Sequence, residues 1–146
     1  MNEVNLEQYL RENGFLLYRN TGVSMEPLLR QGRDLFTVRK KTDDRCEKFD
    51  VILYRRSPDQ FVLHRVIEVG GQDYVTLGDN CLAPEYGIRE EDVLGIMTSF
   101  IRKGKTYSTD DIRYRLYVLL WCRPYRFRIF LRRTIGKIRR SLHSNS

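Results

Sequence analysis

The chain has 146 residues, 41% of them apolar and 31% charged, a size and composition suited to one globular domain around one core, with no internal repeat and no low-complexity segment. Its net charge of +7 is uneven: residues 112–146 hold ten Lys or Arg and no Asp or Glu, whereas residues 1–111 hold sixteen basic and nineteen acidic side chains, a balance of −3. Three cysteines, Cys46, Cys81 and Cys122, are odd in number and too widely spaced for a metal-ligand pair, which argues against a disulfide framework and for a reducing compartment.

Met1 to Leu10 is polar and acidic, with no apolar run that would predict a signal peptide or membrane anchor. Leu6, Tyr9 and Leu10 recur at helical spacing, which predicts a short amphipathic helix capped by Asn2 or Asn5 and stopped by Gly14. Phe15 to Tyr18 suits a strand that delivers the chain to Thr21-Gly22-Val23-Ser24-Met25-Glu26-Pro27-Leu28. That stretch cannot run on as a regular helix or strand. Gly22 permits backbone angles closed to other residues, and Pro27 fixes its own φ while restricting Glu26. It predicts a turn holding Ser24, either as a presented hydroxyl or as an ordinary loop serine that caps the next turn.

Leu28 to Asp34 reads as a further turn, and Leu35 to Val38 and Val51 to Tyr54 read as strands joined by a solvated charged run, Arg39 to Lys48. Ser57-Pro58-Asp59-Gln60 is a turn signal before a strand over Phe61 to Val69. Gly70 to Asp73 predicts a hairpin turn into Tyr74 to Leu77. Val93 to Ile101 is another strand, and Arg102 to Lys105 turns into Thr106 and Tyr107. The expected fold class is mainly β with a short N-terminal helix, over a domain of residues 1–110.

Residues 111–146 form a separate basic tail. Leu116 to Cys122 is an apolar run of seven residues, far below the roughly 20 needed to span a bilayer. Pro124 would break or kink a helix starting near Ile112. Phe127, Phe130, Leu131, Ile135, Ile138 and Leu142 then recur near helical spacing, interleaved with arginines and Lys137. This pattern predicts a basic amphipathic helix on an anionic membrane surface, with Trp121 and Tyr125 at the headgroup level. Packing against its own domain is the alternative. Nucleic acid is the less favoured partner, because no helix-turn-helix pattern and no zinc spacing offers base readout. The expected location is cytoplasmic or peripheral to a membrane.

Two residues carry candidate chemistry. A serine hydroxyl attacks well only when a base removes its proton. Of the two histidines, His143 lies in the polar terminus, which leaves His64 as the plausible imidazole base unless it is a structural strand residue. Ser24-Met25 with Pro27, then His64-Arg65-Val66, then Gly78-Asp79-Asn80, then Asp92-Val93-Leu94-Gly95, follow in an order and at separations that resemble the signal peptidase I and LexA-type serine peptidases. The resemblance covers roughly residues 15–102. A histidine in the place of the base resembles the archaeal and endoplasmic-reticulum branch, where other members use lysine.

The resemblance implies a LexA/signal-peptidase-like β fold and a serine endopeptidase that forms an acyl-enzyme. Ser24 would be nucleophile, His64 general base and Asp79 the orienter of the imidazole, with Glu85, Glu91 and Asp92 as alternatives. Asp79 read as a turn aspartate bonding its own backbone is the structural option. No metal or cofactor is implied. Many signal peptidases carry a serine two residues before the nucleophile. Here that position is Gly22, as in LexA-type proteins, so the Ser24 N–H is the expected oxyanion donor and Thr21 a substitute. Phe49-Asp50 stands where the family often has Gly-Asp. Met25 lines the site or belongs to the core. The substrate implied is a leader peptide, a precursor protein or the chain itself, bound as an added β-strand. The alternative is a non-catalytic module that binds a peptide or partner on the same fold. A LexA-like regulator is disfavoured by the lack of an N-terminal DNA-binding domain in this sequence.

Overall fold

The computed structural model describes residues 3–58 and 60–145, and the side chains of residues 6–58 and 60–145. The candidate cap Asn2 and the turn residue Asp59 lie outside the described residues. Helix α1 spans Glu3–Asn13. It buries Leu6 and Leu10 and ends at Gly14, whose φ of 80° and N–H bond to the Leu10 carbonyl stop the helix as a left-handed glycine does.

Eight antiparallel strands follow among the described residues: β1 Phe15–Arg19, β2 Leu35–Lys40, β3 Val51–Ser57, β4 Gln60–Val69, β5 Asp73–Leu77, β6 Glu85–Arg89, β7 Val93–Arg102 and β8 Lys105–Ser108. They form one sheet in the order β1-β2-β7-β3-β4-β5-β6, with β8 paired to β7. The expected mainly β fold with an N-terminal and a C-terminal helix is what the chain adopts. Strand β6 was not legible in the sequence, because Pro84 precedes it and Gly87 (φ 74°) breaks its apolar alternation.

Strand β3 is buried on both faces, and its alternation divides the core. Val51 and Leu53 join Leu6, Leu16, Met25, Val38, Met97 and Phe100, whereas Ile52 and Tyr54 join Cys46, Val66, Tyr74, Ile88 and Val93. Met25 is therefore a core residue, 1% exposed. All three cysteines are free.

The tail is helical. Asp111 caps α2 (Ile112–Tyr117) by accepting from the Arg113 N–H at 2.8 Å. A π-helical turn over Val118–Cys122 continues it, and after Pro124 a longer helix, α3, runs over Tyr125–Ser144. No helix among the described residues is long and apolar enough to cross a membrane.

Candidate active site

Ser24 sits in the loop between β1 and β2, where a run of turns replaces regular structure. The buried amide of Asn20 holds this loop. Its Nδ2 donates to the carbonyls of Gly22 (2.9 Å) and Leu29 (3.1 Å), and its backbone accepts from the Gly32 N–H. Behind the loop, Asp34 is fully buried and accepts from the Arg30 N–H and the Arg33 guanidinium. The Glu26–Pro27 peptide is cis. Ser24 is half-buried, and its carbonyl rather than its hydroxyl ties it down, by accepting from the Asn80 N–H at 2.8 Å.

Ser24 and His64 line the same cleft, of about 450 Å³, together with Tyr18, Gly22, Phe61 and Cys81. Gly78 lies between the Ser24 backbone and the imidazole edge, and no hydrogen bond joins the Ser24 hydroxyl to His64. A Cβ built there would lie 2.6 Å from the Ser24 carbonyl oxygen, 2.6 Å from Cys81 Sγ and 3.1 Å from His64 Nε2. Only a residue without a side chain lets the loop and the imidazole edge approach this closely.

His64 lies on β4, 8% exposed. Its Nδ1 is 3.3 Å from the Tyr54 hydroxyl on β3. That hydroxyl donates to Glu85 Oε2 at 2.8 Å and lies 3.1 Å from Thr76 Oγ1. A phenol has one proton to donate. Spent on Glu85, it leaves the Tyr54 oxygen as acceptor, so Nδ1 carries the imidazole proton and Nε2, on the Gly78 side, keeps its lone pair. This is the tautomer a general base needs. Glu85 is in turn gripped by Arg56, whose hydrogen bond holds the carboxyl below its usual range. Burial, reinforced by the Arg56 charge, pushes the His64 imidazole down to about 4, so it is neutral at neutral pH.

The acidic partner expected at Nδ1 was first of all Asp79, and the structure commits that carboxylate elsewhere. Asp79 is 2% exposed and takes a two-pronged bond from the buried Arg65 guanidinium, Nε to Oδ1 and a terminal nitrogen to Oδ2, both at 2.8 Å. It also accepts from the Tyr117 hydroxyl at 2.7 Å. Arg65 completes its set with the Phe49 carbonyl and the Tyr114 hydroxyl. The Asp79 backbone is used as well, its carbonyl accepting from Trp121 Nε1 at 3.0 Å and from Arg128. So Asp79 is neither a free turn aspartate nor the residue at Nδ1. It anchors the Gly78-Asp79-Asn80 turn, and that turn holds Ser24. Of the alternatives, Glu85 reaches the imidazole through Tyr54. Glu91 pairs with Arg89 on the surface, and Asp92 ends a single 3-10 turn, Glu90–Asp92.

Tyr54 and Asn20 were missed from sequence. Asn20 carried no signal. Tyr54 depends on the hairpin register that folding sets: β3 and β4 pair Tyr54 with Val62 and Ile52 with His64, which makes Tyr54 and His64 diagonal neighbours on one face. Of the positions weighed for an oxyanion donor, Gly22 lies in open space with nothing within 4 Å of a built Cβ, and Thr21 lines the cleft. No group of three or more His, Cys, Asp or Glu side chains suited to a metal is found among the described residues.

Two backbone edges face the cleft. Among the described residues, strand β1 pairs only with β2. Strand β4 pairs with β5 only from Arg65 onward, which leaves the side of Gln60 to His64 away from β3 open. Leu16, Tyr18 and Arg19 of β1, the following Asn20, and Gln60 to His64 of β4 line the cleft. No protein-family model matches the chain, and no curated protein matches it.

Proposed function

We propose that the chain is a serine peptidase of the signal-peptidase-like type, cutting a peptide bond in a leader, a precursor protein or itself. The observation that carries this reading is the His64 imidazole, held neutral, its Nδ1 against the Tyr54–Glu85 pair and its Nε2 on the side of the Ser24 loop.

In this mechanism Nε2 takes the Ser24 proton as Oγ attacks the scissile carbonyl. The same proton goes to the departing amine, and the acyl-enzyme is hydrolysed by a water that His64 activates in turn. Tyr54, and beyond it the Glu85 carboxylate, stabilise the transient imidazolium through two hydrogen bonds with no further proton transfer. The Ser24 N–H is the oxyanion donor. An extended substrate fits between the free edges of β1 and Gln60–His64, where backbone groups supply affinity and the cleft walls choose side chains.

The test is cleavage of a diverse peptide mixture read by mass spectrometry with wild type, Ser24→Ala and His64→Ala. Cleavage abolished by both substitutions supports the reading. Cleavage unchanged in Ser24→Ala discards the mechanism. Peptide binding in the cleft without cleavage by any form would move the function to a non-catalytic binding module.

A further inference from the structure

Helix α3 is inverted with respect to an ordinary surface helix. An amphipathic helix on a globular domain normally turns its apolar stripe to the core and its charges to water. Here the basic side faces the body. Arg128 and Trp121 bond the Asp79 carbonyl, Arg132 bonds the Asn80 carbonyl and side chain at 3.1 and 3.0 Å, and Arg133 bonds the Leu82 carbonyl at 3.2 Å. The apolar stripe faces outward: Phe127 is 62% exposed, Phe130 63%, Ile138 55% and Leu142 67%. Just before it, Leu119 and Leu120 are exposed too. Trp121 was expected at a headgroup level from sequence, but its indole N–H is turned inward onto Asp79.

We infer that the outward face of α3 docks on an anionic lipid bilayer surface. Charge complementarity selects this occupant. Residues 112–146 carry no acidic side chain, and successive turns of the helix put Arg126 and Lys137 along one flank of the apolar stripe and Arg139 along the other. Long basic side chains at the borders of an apolar stripe can snorkel to phosphate groups while the stripe enters the acyl boundary. A second copy of the same helix would bring seven further cations against these with no anion to offset them. Docking has a consequence for the site. The arginines that hold α3 to the body grip residues 79–82, and Asn80 grips Ser24, so the docked helix would hold the nucleophile turn beside the membrane and favour substrates presented there.

The test uses the full chain and sedimentation with vesicles of phosphatidylcholine alone or of phosphatidylcholine with phosphatidylglycerol. Binding to the second alone is expected, weakened by added salt. Phe127→Ser with Phe130→Ser should weaken it about tenfold or more, since two aromatic side chains leave the lipid. Tyr86→Ser, an exposed aromatic on β6 outside the tail, should leave it unchanged. These faces are exposed, so circular dichroism should show the fold retained. Failure to sediment with anionic vesicles, equal binding to both vesicle types, or a stable dimer that excludes vesicles would overturn the inference. Vesicle binding is read without peptide cleavage, so its failure is distinct from failure of the peptidase reading.

Discussion

The Tyr54 hydroxyl stands 3.3 Å from His64 Nδ1 and donates to Glu85, so a phenol lies between the imidazole and its carboxylate. Tyr54→Phe keeps the ring that fills the second core cluster and removes only the oxygen. On the proposed mechanism kcat should fall roughly tenfold to a hundredfold, as when an outer partner of a working histidine is lost, with KM little changed. Steady-state kinetics on a peptide found in the mass-spectrometric screen decides this, and an unchanged kcat would remove Tyr54 from the mechanism.

Asp79→Asn should behave differently. It leaves Arg65, 1% exposed, without its counter-ion. Breaking a buried pair from one side costs on the order of 3–5 kcal/mol. Urea unfolding should show the loss, and heat should inactivate the variant early. An Asp79→Asn protein of wild-type stability with reduced kcat would instead return Asp79 to a direct catalytic role.

Burial pushes the His64 imidazole down to about 4 in the folded chain, against an ordinary histidine value of 6.5. Only the neutral form is a base, so the acid limb of kcat/KM should lie nearer pH 4 than 6.5. The stability consequence has a definite sign. Between these values the unfolded chain binds the extra proton, so stability is complete above about pH 6.5 and is lost as pH falls through about 4. The loss is at most about 3 kcal/mol. The difference in urea midpoint between wild type and His64→Gln should narrow or change sign across this window. A difference that stays constant would mean that burial does not depress the imidazole.

Two glycines in the site respond oppositely to a side chain. A Cβ on Gly78 meets the Ser24 carbonyl at 2.6 Å, which is backbone and cannot swing aside, whereas Gly22 has open space. Gly78→Ala should displace the Ser24 loop and abolish most activity. Gly22→Ser should fold normally and, by offering a hydroxyl to the oxyanion, raise kcat several-fold, a fraction of the roughly hundredfold that a well-placed donor is worth. Kinetics and melting temperatures of both variants check this.

Phe49 holds φ at 75°, a left-handed conformation that costs a non-glycine residue about 1–2 kcal/mol. Its ring lies under the Lys48 and Arg123 cations, and its carbonyl accepts from Arg65. Phe49→Ala and Phe49→Gly lose the same ring contacts, but glycine alone escapes the strain. Phe49→Gly should therefore be the more stable of the two by about 1 kcal/mol, as measured by thermal unfolding.

Much of this molecule was legible before folding. Alternating apolar runs bounded by Gly, Pro and Asp mark seven of the eight strands, the spacing of Leu6, Tyr9 and Leu10 marks α1, and the periodicity after Pro124 marks α3, because these signals are local. The pairing of Ser24 with His64 as candidates came from the ordered motifs that resemble the signal peptidase I and LexA-type peptidases, since residue types alone favoured a loop serine and a structural histidine. What tertiary structure alone decided is which groups meet. The β3–β4 register sets Tyr54 beside His64, and the buried Arg65 claims Asp79 first, since an unpaired guanidinium in the core would cost more than an unoriented imidazole. The sequence also shows that α3 has an apolar and a basic side. It does not show which side turns inward, because that depends on the row of backbone carbonyls that residues 79–82 present to the arginines.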